Sequence, residues 1–236
     1  MERREQLYEG KAKIIYATDD PDKTILYFKD DATAFNGAKK GTILDKGVIN
    51  NKVSAKLFSL LAENGIESHF IERLSDREML AWRVKIFPVE VVVRNWIAGS
   101  LAKRMGREEG GELPMTIVEY YYKDDELNDP MINRDHVLAF NLATAEQIDA
   151  VRGIALKINE VLKNYMFERD ILLVDFKLEF GDCNGRILLA DEICPDTCRL
   201  WDRHTLEKLD KDRFRRELGG VEEAYLEICR RVCGEF

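Results

Sequence analysis

The stretch from Ile171 to Glu192 reads ILLVDFKLEFGDCNGRILLADE and leaves the chain few folds to choose from. It spells a strand, a tight connection and a returning strand. In the first arm Asp175, Lys177 and Glu179 fall on one face. Val174, Phe176, Leu178 and Phe180 fall on the other, because successive side chains of a strand point to opposite sides. The second arm is apolar at Ile187, Leu188, Leu189 and Ala190, then ends in Asp191 and Glu192. Three charges of mixed sign on one strand face suit a metal ion and an anionic ligand. The plain alternative is a solvated hairpin with a cross-strand Lys–Glu pair, common on antiparallel sheets.

Whether Asp191 joins that face depends on the turn. A two-residue turn at Asn184-Gly185 is the strongest local hairpin signal, and it points Asp191 the other way. A longer loop with an odd residue count, such as Gly181 to Gly185, sets Asp191 beside Asp175 and Glu179. Gly181 reads as a strand end, so the longer loop is the expectation.

The chain's 236 residues suffice for one large domain or two small ones. A net charge of -8 argues against a general nucleic-acid binder, whose footprint is basic. No apolar run approaches the ~20 residues of a membrane span. MERREQLYEG carries no apolar segment behind its charges, so it reads as no signal peptide. The cysteines (Cys183, Cys194, Cys198, Cys229, Cys233) contain no CxxC pair and fit free thiols in a reducing cytosol. His69, His136 and His204 lack ligand-like spacing, so zinc is not expected.

Leu7 to Ala17 alternates around Gly10, and Thr24 to Phe28 reads as its return strand. Lys11 and Lys13 share one face of the first strand, placed to lie across a polyphosphate. An exposed basic edge is the plain alternative. Asp30 to Lys46 is polar and glycine-bearing, hence a loop. Gly47 to Glu63 reads as a helix with its stop at Asn64-Gly65. Ile66 to Arg73 and Glu78 to Phe87 read as strands. In PVEVVVRNWIAGS, Glu90, Val92 and Arg94 share one strand face, and Ser100 is placed to cap a short helix, Leu101 to Met105. An arginine beside a Gly-Ser helix start makes a phosphate site; a structural cap with a surface arginine is the alternative. Thr116 to Tyr122 reads as a strand. Thr144 and Gln147 form a capping box ahead of a helix running to about Phe167. Leu218 to Val232 reads as an amphipathic helix.

VEVVVRNWIAGS, LLVDFKLEFG and LADE-x-x-PD-x-x-RLWD, with the opening LYEGKAK and the closing DKDRFRRELGG, resemble the SAICAR synthetase family across essentially the whole chain. The resemblance implies an α+β fold. Residues 1–85 would be an N-terminal antiparallel β region covering the nucleotide, and residues 86–236 an ATP-grasp-related α+β part holding the substrate. It implies a cytoplasmic enzyme, by expectation a homodimer with no nucleic-acid or membrane partner. That enzyme ligates L-aspartate to the carboxylate of the aminoimidazole ribonucleotide CAIR, using ATP and Mg²⁺. Lys11 and Lys13 look like phosphate-cover lysines, and the adenine edge would meet the backbone near Trp82 to Val84. Glu179 and Asp191 look like Mg²⁺ ligands, with Glu90 and Asp175 helping a metal or the imidazole. Lys177 would lie near the transferred phosphoryl group. Arg94, Ser100 and Arg199 look like contacts to the ribonucleotide's phosphate and sugar. Lys123, Asp129 and Asp196 complete the carried-over set, and Lys177, Asp175 and Arg199 form its catalytic group. Asn36 stands where some relatives have Asp, and Cys194 and Thr197-Cys198 replace what is often Ser and Gly-Ser.

The implied chemistry forms an acyl phosphate from the CAIR carboxylate, which the aspartate amine then attacks. Alignment and charge neutralisation carry such a reaction. One rival is a kinase-like phosphotransferase acting on another small acceptor, against which the absence of HRD and DFG elements counts for the protein kinases. A second is a non-catalytic nucleotide-binding module, against which the Glu179 and Asp191 set counts.

Overall fold

The computed structural model describes residues 1–34 and 39–234, so Asn36 lies outside the described residues. The chain opens with β1 (Arg3–Glu9), β2 (Lys13–Thr18), β3 (Lys23–Phe28), β4 (Asp31–Ala34) and β5 (Lys39–Thr42). Then come α1 (Lys46–Glu63), β6 (Phe70–Arg73), β7 (Glu78–Trp82), β8 (Lys85–Trp96) and α2 (Gly99–Met105). β9 (Glu112–Tyr122), β10 (Met131–Ile132), α3 (Arg134–Ala139) and α4 (Ala145–Phe167) lead to β11 (Ile171–Cys183) and β12 (Arg186–Ala190). β13 (Cys198–Asp202), α5 (Asp212–Arg216) and α6 (Val221–Cys233) follow.

Among the described residues two larger antiparallel sheets organise the fold. The first has the order β1-β2-β3-β7-β6. The second runs β10-β9-β8-β11-β12, with β13 pairing the first half of β11. A single buried cluster joins Leu26, Phe28 and Met79 of the first sheet to Val91, Phe176 and Leu178 of the second. α4 lies on the second sheet, and α1 packs on the first sheet and against α6. The expected capping box opens α4: the Thr144 side chain accepts from Gln147 N, and the Gln147 side chain accepts from Thr144 N. No helix among the described residues is long and apolar enough to cross a membrane.

Several expectations are corrected. Gly10 closes a turn, its N–H donating to Lys13 O at 2.8 Å, so Lys11 sits in the turn and only Lys13 begins a strand. The stretch expected as a loop before α1 holds the β4–β5 hairpin. The strand expected from Glu78 to Phe87 breaks at Arg83-Val84, where the chain crosses between sheets and Arg83 N donates to Asp22 O. Pro88 lies inside β8, near the register shift between Glu179 and Gly181 where the β8–β11 ladder tolerates a missing donor.

The hairpin tip is the two-residue turn, not the longer loop. Cys183 pairs with Arg186, leaving Asn184 and Gly185 with φ 54° and 82°, both left-handed. Gly181 is no strand end: it stays in the ladder, where an added Cβ would come 2.8 Å from Lys85 O. The alternation of β11 also slips once. A register shift between Leu173 and Asp175 places Val174 with Ala98, Leu172 and Trp201 rather than with Phe176.

Candidate functional site

β11 and β8 form the floor of a cleft. Glu179 sits opposite Glu90 across the ladder, and Lys177 lies between their carboxylates. Lys177 Nζ is 3.0 Å from Glu90 Oε1, 2.8 Å from Glu179 Oε1 and 3.4 Å from Asp191 Oδ2. Lys123, just past β9, donates to Glu179 Oε1 at 2.8 Å. Lys13 of β2 pairs with both Asp191 and Glu192. Burial works against the Lys177 charge, yet Glu179, Asp191 and Glu90 hold its pKa well above the usual lysine value. Burial likewise opposes the Asp191 charge, and Lys13 and Lys177 hold its carboxyl well below the carboxylate range.

Ladder parity points Asp191 away from this floor. Glu179 pairs with Ala190, so a continued strand would set Asp191 opposite Leu178, a core residue. Asp191 instead adopts φ 61°, and its carboxylate reaches Lys13 and Lys177. The expectation that Asp191 joins Glu179 holds, though the turn length invoked for it does not.

The cleft has two connected lobes. One, of about 650 Å³, runs from Trp82 and Val84 past Ile15 and Leu26 to Lys177. The other, of about 480 Å³, is lined by Arg94, Ser100, Asp175 and Arg199. They meet at Lys11, Glu90, Asp129, Lys177 and Glu192.

In the second lobe arginines and acids alternate. Asp175 accepts from Arg94 Nη1 at 2.8 Å and from Arg199 Nη1 at 2.8 and 3.0 Å. Arg94 also donates to Glu119 at 2.7 Å and to Ser100 Oγ at 2.9 Å. Arg199 Nε donates to Asp212 at 2.9 Å, and Asp212 takes Arg215 at 2.6 Å. Arg104 closes the far end on Glu119. The Ser100 hydroxyl therefore faces Arg94 and caps nothing: the cap residue of α2 is Ala98, with no side-chain bond. Gly99 has φ 53°, and an added Cβ would lie 2.5 Å from the Arg199 guanidinium.

Asp196 is buried and saturated. It takes Lys46 at 2.8 Å, Tyr225 Oη at 2.6 Å and Lys211 at 3.4 Å. Burial opposes its charge, and Lys46 and Lys211 outweigh it, holding the carboxyl well below its usual range. Asp129 accepts from Asp124 N at 2.9 Å and borders both lobes. Lys11 reaches Asp125 at 2.7 Å. Trp82 N donates to His69 O, and the Lys23 ammonium lies 5.2 Å from the Trp82 ring centroid. His69 is buried, which pulls its imidazole down to about 4. All five cysteines are free, and burial pushes Cys194 and Cys198 up to about 12.

Residue-by-residue reading missed Lys46, Glu119, Asp212, Lys211, Arg215 and His69. Glu119 had a signal, a charge inside the apolar strand from Thr116 to Tyr122. Asp212 and Arg215 lay inside the quoted DKDRFRRELGG. Lys46 fell at the end of a supposed loop and had none.

Among the described residues no three Asp, Glu, His or Cys side chains are grouped to enclose a metal. Glu90, Glu179 and Asp191 nonetheless all reach one ammonium. That arrangement fits a hard cation taking carboxylate oxygens and completing its shell from phosphates and water.

A family model described as SAICAR synthetase matches residues 6–232. The phosphoribosylaminoimidazole-succinocarboxamide synthase of Thermoanaerobacter sp. (strain X514) is 60% identical over 234 residues, covering 99% of this chain and 100% of that one. The synthase of Clostridium acetobutylicum is 56% identical over 235 residues, covering 100% of both. The crystal structure of the Ehrlichia chaffeensis synthase is similar with a TM-score of 0.95 at 46% identity, over 97% of this chain and 98% of that one. A SAICAR synthetase in complex with ADP is similar with a TM-score of 0.94 at 52% identity, over 98% of each chain.

Proposed function

The chain belongs to the SAICAR synthetase family, and on that premise we propose that it ligates L-aspartate to the carboxylate of CAIR. ATP is consumed, and SAICAR, ADP and phosphate are released in purine biosynthesis. Relatives of 56% and 60% identity spanning the whole chain bear the synthase name, and a neighbour of 52% identity holds ADP. The observation that carries the residue-level reading is the meeting of two lobes at Lys177 and Glu90, one rich in acids and lysines, the other in paired arginines.

ATP takes the larger lobe, with its adenine edge along the backbone from Trp82 to Val84. Lys11, Lys13 and Lys123 lie beside its phosphates. Glu179, Asp191 and Glu90 would hold Mg²⁺, which when bound would offset phosphate charge. The ribonucleotide takes the other lobe, its phosphate and sugar at Arg94, Ser100 and Arg199. Asp129 and Asp196 border it. Asp175, whose oxygens are engaged by Arg94 and Arg199, sets those two guanidinium groups for the phosphate.

A carboxylate oxygen of CAIR attacks the γ-phosphorus, the bond to the β-phosphate oxygen breaks, and ADP departs. The aspartate nitrogen then attacks the acyl carbon, loses a proton, and the carbon–oxygen bond to phosphate breaks. Lys177 stays protonated and faces the transferring group. These residues align two anions and balance charge, which is what such a displacement needs. Residues 1–85 act as the nucleotide cover and residues 86–236, related to ATP-grasp proteins, as the substrate part. The enzyme works as a cytoplasmic homodimer.

ADP release from Mg²⁺-ATP and CAIR, with and without L-aspartate, tests the reading. ADP and SAICAR appearing only when all substrates are present support it. ADP formed without CAIR would indicate the phosphotransferase instead. ATP binding with no ADP would indicate a regulatory module.

A further inference from the structure

His69, at the entry to β6, ties three segments together through one residue. Its backbone N–H donates to Leu189 O at 2.7 Å, and its backbone carbonyl accepts from Trp82 N at 2.7 Å. Its ring Nε2 lies 3.0 Å from Asp191 O. A carbonyl only accepts, so Nε2 carries the proton and the imidazole donates. The residue is 4% exposed. Phe58 meets the ring edge-on with centroids 5.5 Å apart, which fixes the ring plane.

Asp191 needs such a hold. The β11–β12 ladder ends with Ala190 opposite Glu179, and an extended Asp191 would face the core. Its left-handed backbone, φ 61°, is what turns the carboxylate into the cleft. Lys13 and Lys177 attract that carboxylate, but they set where it rests and not which way the peptide turns. The peptide carbonyl itself is held by His69.

We propose that His69 is a positioning residue that holds the Asp191 carboxylate in the nucleotide lobe, through a hydrogen bond from its imidazole to the Asp191 carbonyl. The inference rests on the reading of Asp191 as a Mg²⁺ ligand. Because the same residue accepts Trp82 N, the stretch proposed to meet adenine and the acid proposed to hold the metal share one anchor.

The test compares His69→Leu, which fills the space without a donor, with His69→Gln, whose amide can donate. Calorimetry on the full chain measures ADP binding with Mg²⁺ and with EDTA. For His69→Leu the expected result is ADP binding about tenfold or more weaker with Mg²⁺ and changed by less than about twofold in EDTA, as for partners that orient metal ligands. His69→Gln should stay within about threefold of the unaltered protein in both conditions. Asp191→Asn separates the two claims. If it keeps full Mg²⁺-dependent affinity, the reading of Asp191 fails. If it loses that affinity while His69→Leu keeps it, the role of His69 is overturned. An equal loss by His69→Leu with and without Mg²⁺ overturns it too, since general loosening then accounts for the effect. Should His69→Leu not fold, a His69→Gln protein as weak as Asp191→Asn overturns the proposal.

Discussion

Lys177 and Glu179, two residues apart on β11, pair at 2.8 Å on the cleft floor. Glu179 also takes Lys123, so two ammonium groups converge on its carboxylate. Replacing it with Gln keeps the volume and removes the charge. Turnover should fall at least about 10²-fold, the usual scale for losing an aligned electrostatic partner. Circular dichroism should be unchanged. Undiminished kcat would end the assignment of Glu179.

Asp175 joins Arg94 and Arg199 through one carboxylate. Asp175→Asn should leave the buried Arg94 and the half-buried Arg199 with one carboxylate partner each, at a cost to stability of about 2 kcal/mol. The KM for CAIR should rise about tenfold or more, with the KM for ATP far less affected, since the arginines then lose their fixed spacing. Equal effects on both KM values would argue that the variant merely loosens the protein.

Lys46 is wholly buried and faces Asp196 at 2.8 Å. Lys46→Met should destabilise by about 3–5 kcal/mol, because Asp196 would keep its charge with less to balance it. Asp196→Asn should also destabilise. Combined, the two should cost less than their sum by about 1–3 kcal/mol, read from urea unfolding of the four proteins in the cycle. Strict additivity would show that the pair is not coupled.

Asp210 is buried, and that burial together with the Asp212 charge pushes its carboxyl up to about 7. In an unfolded chain it titrates near ~3.9. Between those values the folded chain keeps a proton that the unfolded chain has released. Stability therefore falls as pH rises through that window and levels off above it. Asp210→Asn cannot titrate, so it should gain on the unaltered protein by about 2.5 kcal/mol between pH ~5 and ~8. Both Asp210 oxygens accept backbone N–H groups, from Leu200 and Asp212, so the amide adds an offset that does not vary with pH. A stability difference that stays flat with pH would contradict the raised carboxyl.

The periodic elements were legible because their signals are local. The capping box at Thr144 and the apolar stripe behind it gave α4, and the alternation of Asp175, Lys177 and Glu179 gave the cleft floor. The β4–β5 hairpin was not legible: among the described residues of that polar stretch only Ala32 and Ile43 are buried and apolar, so no period showed. The hairpin tip is more instructive. Asn184-Gly185 was the right local signal, and Gly181, read as a strand end, pointed away from it to a longer loop. Gly181 stays in the ladder, and what brings Asp191 to the cleft is its own backbone, whose φ of 61° costs about 1–2 kcal/mol and leaves no mark in the residue names. Lys46 and Glu119 were missed for a related reason. Their partners, Asp196 and Arg94, lie far away in sequence, and only folding brings them together.

Asp191 takes its direction from a twist outside the ladder and from its tie to His69, not from the count of residues around the turn. The far end of the β11–β12 hairpin is therefore free of that duty. Asn184 and Gly185 are exposed, and the space around Gly185 is open. The tip is a graft point, where an epitope or a dye-bearing loop can be spliced in without re-aiming the acid. Lineages that lengthen this turn by odd or even numbers of residues would keep the same chemistry.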